Sequence, residues 1–121
     1  MSKLFIASVL FLFGIASHAQ DTITSTQAKN YLDKIVVVKG KVVSYRLASD
    51  GGKTNYINID KPFPDNDLSI VITNVFLEKL NIKPEALKGK YVYVKGKITL
   101  NNKDPKHTPQ LFNPSSISLK K

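Results

Sequence analysis

Four lysines occur as two Lys-Gly-Lys triplets, Lys39-Gly40-Lys41 and Lys95-Gly96-Lys97, each set in a run of β-branched residues. Side chains alternate in direction along a strand, so both lysines of a triplet project from one side. The chemistry open to such a group is capture of an anion. Ammonium groups facing one another across a ladder repel, and a polyanion would relieve that repulsion. Lysines on exposed strands also deter edge-to-edge aggregation, and both readings stay open. Tyr45, Arg46, Tyr56 and Asn58 form a second group. Single-stranded nucleic-acid binders stack bases on aromatic rings beside a cationic groove, and a guanidinium makes bidentate phosphate contacts that lysine cannot reproduce. Tyrosines can equally well serve as cover for the outside of a sheet.

Other polar residues offer less. Tyr91 and Tyr93 are outward neighbours on one strand, expected to pack against the first helix or its lead-in. Asp60, Asp65 and Asp67 cluster around Pro62-Phe63-Pro64 without the spacing of a calcium loop. They read as turn acids. His107 in Asp104-Pro105-Lys106-His107 reads as a solvated loop residue, and no nucleophile elbow accompanies it. A nuclease that pairs acidic metal ligands with two arginines is excluded, because Arg46 is the only arginine and Glu78 and Glu85 are the only glutamates. The reading is a non-enzyme with no cofactor and no metal.

The chain has 121 residues, 18 basic and 9 acidic side chains, and neither Cys nor Trp. Lack of cysteine removes disulfides, thiolate catalysis and thiolate metal sites. Lys3, the apolar run Leu4–Ala16 and the ending Ser17-His18-Ala19 have the form of a secretory signal peptide, with cleavage expected after Ala19. That run is too short to span a bilayer, so no transmembrane segment is expected in the mature chain, 20–121. Removal of Lys3 leaves a net charge of +8. This basic balance suits anionic partners. The protein is expected in the periplasm or the medium, as a monomer of one domain.

These groups need strands to hold them. A brief helix is expected over Gln27–Leu32, capped by Ser25 or Thr26. Strands are expected over 35–47, bent at Gly40, then over 54–60 with Ile57 and Ile59 inward and Tyr56 and Asn58 outward. A third follows at 68–73 with Leu68, Ile70 and Ile72 inward. Short helical pieces at 75–80 and 84–87 precede a strand at 91–100 and a last one at 110–119, where Pro114 bends the chain or sits near an edge. The 36–42 segment echoes 92–98, each with a central glycine that would let its strand turn a corner in the same way. An all-β fold of five strands, with a helix between the third and fourth, is the order of the OB-fold Greek-key barrel.

The segments Tyr-Ile-Asn-Ile-Asp-Lys-Pro-Phe-Pro (56–64), Leu-Lys-Gly-Lys-Tyr-Val-Tyr-Val-Lys-Gly-Lys-Ile (87–98) and Pro-Gln-Leu-Phe-Asn-Pro-Ser-Ser-Ile (109–117) resemble the exported single-domain OB-fold proteins of Bacteroidetes-type bacteria, described as nucleic-acid-binding or tRNA-anticodon-domain-like. The resemblance covers most of the mature chain, which differs in a longer, glycine-free 101–108 loop. It implies an exported, non-catalytic binding module with single-stranded DNA or RNA as partner. The site would comprise Lys39, Lys41, Tyr45, Arg46, Tyr56, Asn58, Lys95 and Lys97. The alternative is an envelope module that uses the same groove for a protein, an acidic glycan or a small anion.

Overall fold

The computed structural model describes residues 21–120, so the expected signal peptide at 1–19 lies outside the described residues. Seven strands are present: β1 Thr22–Thr24, β2 Ile35–Arg46, β3 Thr54–Ile59, β4 Ser69–Thr73, β5 Tyr91–Leu100, β6 Pro109–Phe112 and β7 Ser116–Leu119. A 3-10 helix spans Ser25–Asn30, and two short helices, α1 Asn74–Leu80 and α2 Pro84–Leu87, lie between β4 and β5. The expected count of five strands is corrected to seven. The chain before the 3-10 helix pairs with β2 as a three-residue parallel strand. The expected last strand is two, divided where Asn113 adopts a left-handed φ of 47° ahead of buried Pro114.

Antiparallel ladders join β2 to β3, β3 to β4 and β5 to β6, and β4 pairs with β6 in parallel. The antiparallel β2–β5 ladder then connects the last of these strands to the first. Strands β2 and β5 therefore have three partners each, β2 pairing with β1, β3 and β5, and β5 with β2, β6 and β7. Residues 35–41 of β2 pair with β5, whereas residues 42–46 pair with β3. Residues 92–95 of β5 pair with β7, whereas residues 98–100 pair with β6. Each change of partner falls beside the glycine of a Lys-Gly-Lys triplet. A Cβ on Gly40 would overlap Ile59 Cγ2 and sit 2.9 Å from the Asp60 carboxylate. One on Gly96 would overlap the Leu111 side chain and come within 3.3 Å of Pro114 Cα. Glycine is what lets the Ile59 and Leu111 side chains lie this close against the strand backbone.

The core lies within the ring of ladders. Val36, Val38, Val42, Ile57, Ile59, Leu68, Ile70 and Ile72 meet Val92, Val94, Ile98 and Leu111 there, and Leu87 of α2 closes one end. Most of them are inward members of period-two strands, as the alternation predicts. Four polar residues, Ser25, Asn55, Asn58 and Asn66, are buried as well, and Asn55 is the one on the inward row of β3. It is buried, accepts a hydrogen bond from Ala48 N at 2.8 Å, and donates to Ile72 O at 3.1 Å and Asn74 Oδ1 at 2.8 Å. Burial of an amide is tolerated when its donors and acceptor are matched in this way. Among the described residues no helix is long and apolar enough to cross a membrane.

Candidate functional site

Strand β2 carries an extra residue at Val43. Val42 is opposite Ile59 and Ser44 opposite Asn58, so the register slips by one between them. A bulge of this kind reverses which side chains face outward. Before it, the outward residues are Lys39 and Lys41; after it, they are Ser44 and Arg46. Tyr45 is accordingly half-buried and packed on the core. It leaves the outward group in which the sequence reading had placed it with Tyr56.

From that bulge onward the sheet presents two outward rows. One runs Arg46, Tyr56, Val71 and Phe112 across β2, β3, β4 and β6. The other runs Ser44, Asn58, Ser69, Gln110 and Thr99, ending on β5. The first is a cation followed by aromatic and aliphatic surface, and the second is hydroxyl and amide. Asn58 Nδ2 donates to Ser44 Oγ at 3.0 Å, which fixes the orientation of its amide.

Two loops wall this face. Phe63, 75% exposed, stands on the 60–68 loop, and Asn101, Asp104 and Thr108 come from the 101–108 loop. Lys106 Nζ donates to the carbonyl of Pro64 and ties the loops together. Between them is a cavity of about 310 Å³ lined by Arg46, Tyr56, Asn58, Phe63, Val71 and Gln110, among others. One adjoining cleft adds Lys53 beside Arg46 and Tyr56; another, reached past Thr108, adds Lys29, Lys61 and Lys106. The groove is thus aromatic and amide-lined at its centre, cationic at the Arg46 end, and of mixed charge at the other, where Asp65 and Asp67 lie among the lysines. Asp104 is its one central carboxylate. Its pKa lies below the usual carboxylate value, chiefly because Lys106 N donates to it, helped by the side chain and backbone of Thr108.

The solved structures with this fold are distant in sequence. A putative aspartyl-tRNA synthetase from Leishmania major Friedlin superposes with a TM-score of 0.54 at 12% identity, covering 83% of this chain and 20% of that one. The OBodies AM1L10 and AM3L15, both bound to hen egg-white lysozyme, superpose with TM-scores of 0.56 and 0.57 at 17% and 16% identity. Those matches cover 84% of this chain, and 93% and 95% of the respective OBodies. The fold is the OB fold. This chain spans a fifth of the synthetase and nearly the whole of an OBody. No protein-family model and no curated protein matches it.

Of the eight residues singled out from the sequence, the OB groove brings together Arg46, Tyr56 and Asn58. Lys39, Lys41, Lys95 and Lys97 lie elsewhere, on the outer side of the β2–β5 ladder. They do not face one another either. Lys39 is opposite Tyr93, Lys41 opposite Tyr91, Lys95 opposite Val37 and Lys97 opposite Ile35. The expected repulsion across the ladder is replaced by a stagger. Tyr91 and Tyr93 belong to the same surface, opposite Lys41 and Lys39, and Lys120 Nζ sits 5.7 Å from the Tyr91 ring centre.

Two of the three acids near Pro62 have partners of their own. Asp60, at a φ of 67°, accepts from Ser25 Oγ at 2.7 Å and Lys41 N at 3.0 Å, and Asp67 pairs with Lys61 at 3.3 Å. His107 is an exposed turn residue at a φ of 53°. The sequence reading missed Phe63, Val71, Gln110 and Phe112. Gln110 and Phe112 flank inward Leu111 by simple alternation, a signal that was present. Phe63 had none, because its position depends on how the loop folds over the sheet.

Proposed function

We propose that this chain is a non-catalytic OB-fold binding module that takes single-stranded nucleic acid in the groove over β3, β4 and β6, and that it works as an exported monomer. The observation that carries the reading is the placement of Arg46, Tyr56 and Phe63 around one cavity of about 310 Å³, with Tyr56 38% and Phe63 75% exposed. A flat base entering the cavity meets aromatic faces. The Asn58 and Gln110 amides offer donors and acceptors to its edge. Arg46 and Lys53 at one end, and Lys29 and Lys106 at the other, suit the flanking phosphates. The solved neighbours fit a binding role, since two of them are held on a protein ligand.

The test is Tyr56→Ala, measured with an oligothymidine at moderate salt. Affinity should fall by about 1–2 kcal/mol, the size of one stacked base, while the denaturation midpoint stays put. Wild type should also prefer the single strand over a duplex of equal length. Should Tyr56→Ala bind like wild type while duplex competes equally, the groove passes to a second reading, a protein ligand. Phe63 and Phe112, the latter 48% exposed, favour that alternative as apolar anchors. Export is tested separately by the intact mass of protein recovered from the producing cell. An N-terminus at or near Gln20 is expected, and retention of Met1 would overturn it.

A further inference from the structure

The groove leaves unused the four lysines of the two Lys-Gly-Lys triplets. On the outer face of β1, β2, β5 and β7 the side chains of Lys97, Lys95, Lys39 and Lys41 form a diagonal band. The first two are on β5, and the next two continue the line on β2. Ile35, opposite Lys97, and Lys41 are six residues apart on β2, so the band runs about 20 Å with a lysine roughly every 6.6 Å. Lys120 adds a fifth ammonium beside Tyr91. No outward position of this face holds Asp or Glu, and the one salt bridge among the described residues is Lys61–Asp67, elsewhere.

The band is flanked by hydroxyls. Thr24 is aligned with Lys39, and Ser116 and Ser118 are opposite Lys95 and Tyr93. Tyr93 is half-buried, and Tyr91 is 55% exposed with the Lys120 ammonium 5.7 Å from its ring centre. This face lacks the guanidinium fork that reads phosphate. It has cations at regular spacing along a line, with hydroxyl donors and acceptors on either side.

We infer that the β1–β2–β5–β7 face is a second binding surface, separate from the groove, and that its occupant is an acidic polysaccharide. Carboxylate or sulfate groups along such a chain complement the lysine line, and its ring hydroxyls match the Ser and Thr rows. The inference does not rest on the nucleic-acid reading of the groove.

The experiment titrates the full chain with two probes, heparin as a sulfated chain and alginate as a uronate chain, at near-physiological salt. Wild type should bind at least one of them. Changing Lys39, Lys41, Lys95 and Lys97 together to Gln should weaken that binding roughly tenfold or more. A control that removes equal charge, Lys29, Lys79, Lys83 and Lys88 to Gln, should cost much less, and the groove variant Tyr56→Ala should cost nothing. Excess oligothymidine should not displace the glycan. If the quadruple variant has lost its cooperative melt, the pair Lys39→Gln/Lys95→Gln at the centre of the band supplies the reading. Three results overturn the inference. They are no binding of either probe, equal loss in the band and control variants, and displacement by oligothymidine, which would give the face to nucleic acid.

Discussion

The two outer faces of this sheet share strands β2 and β5 and differ in most of what a ligand would meet. Over β3, β4 and β6 the surface carries exposed rings, amides, one guanidinium and one central carboxylate. Over β1, β5 and β7, with the first half of β2, it carries five ammonium groups, hydroxyls and two tyrosines. Strand β2 contributes to both, because it changes partner between Lys41 and Val42 and then takes in the extra residue Val43. Stacking and charge are therefore divided between two sides of the fold, where a simple alternation along β2 would have combined them. A groove with few charges selects by shape and by hydrogen-bond edges. A lysine line selects by charge density and answers to salt.

The largest effect expected is at the corner that divides the two faces. Gly40→Ala places a methyl group against Ile59 and the Asp60 carboxylate, where backbone and core are already in contact. Overpacking of this kind costs about 1–3 kcal/mol, which should show as a lowered denaturant midpoint. Gly96→Ala, directed at Leu111 and Pro114, should fall in the same range. Because the corner holds both faces, each variant should lose oligothymidine and glycan binding in step with its unfolded fraction. A Gly40→Ala protein as stable as wild type would show that the corner does not require glycine.

The next effect separates the faces directly. Binding of an oligonucleotide releases counterions in proportion to the phosphates neutralised, at a slope of about −0.7 per contact for a single strand. If the groove is the site, Arg46→Ala should flatten that slope by about 0.7 and weaken binding. The Lys39, Lys41, Lys95 and Lys97 to Gln variant should leave the slope within error. Movement of the slope with the band rather than with Arg46 would put nucleic acid on the lysine face.

Much of this was legible in the residues. The inward sets Ile57/Ile59 and Leu68/Ile70/Ile72, the helical pieces after β4 and the paired glycine corners all follow from local periodicity, which the core reinforces. What escaped was set by contacts distant in sequence. Thr22–Thr24 is too short to display a period and is a strand only because β2 lies beside it. The division at Asn113 is set by Asn113 Oδ1 accepting from Thr73 N at 2.9 Å, a partner on another strand. The inward turn of Tyr45 depends on a one-residue bulge that alternation does not announce. The lysine triplets were legible as strand-borne charge. Their separation from the groove required the register.

The smallest effect sharpens the comparison by its sign. Hydrogen bonds from Lys106 N and Thr108 hold the Asp104 carboxylate below its usual pKa. A depressed folded-state pKa means that the ionised form favours the folded loop. That contribution is present above the ordinary carboxylate value and is lost as pH falls through the lower value of the folded protein. Asp104 is half-buried and its partners Lys106 and Thr108 belong to its own loop, so the loss should be confined to residues 101–108. Amide exchange at Lys106 and Thr108 should quicken in acid relative to core amides such as Ile70, and Asp104→Asn should show the faster exchange already at neutral pH. The same substitution removes the one central negative charge of the groove. It should therefore tighten an oligonucleotide slightly, provided the loop keeps its place, and leave the affinity of the lysine face for heparin or alginate unchanged. A charge deletion felt on one face and not on the other is the finest available measure of how independent the two are. Equal response of both ligands would mean that they share a site.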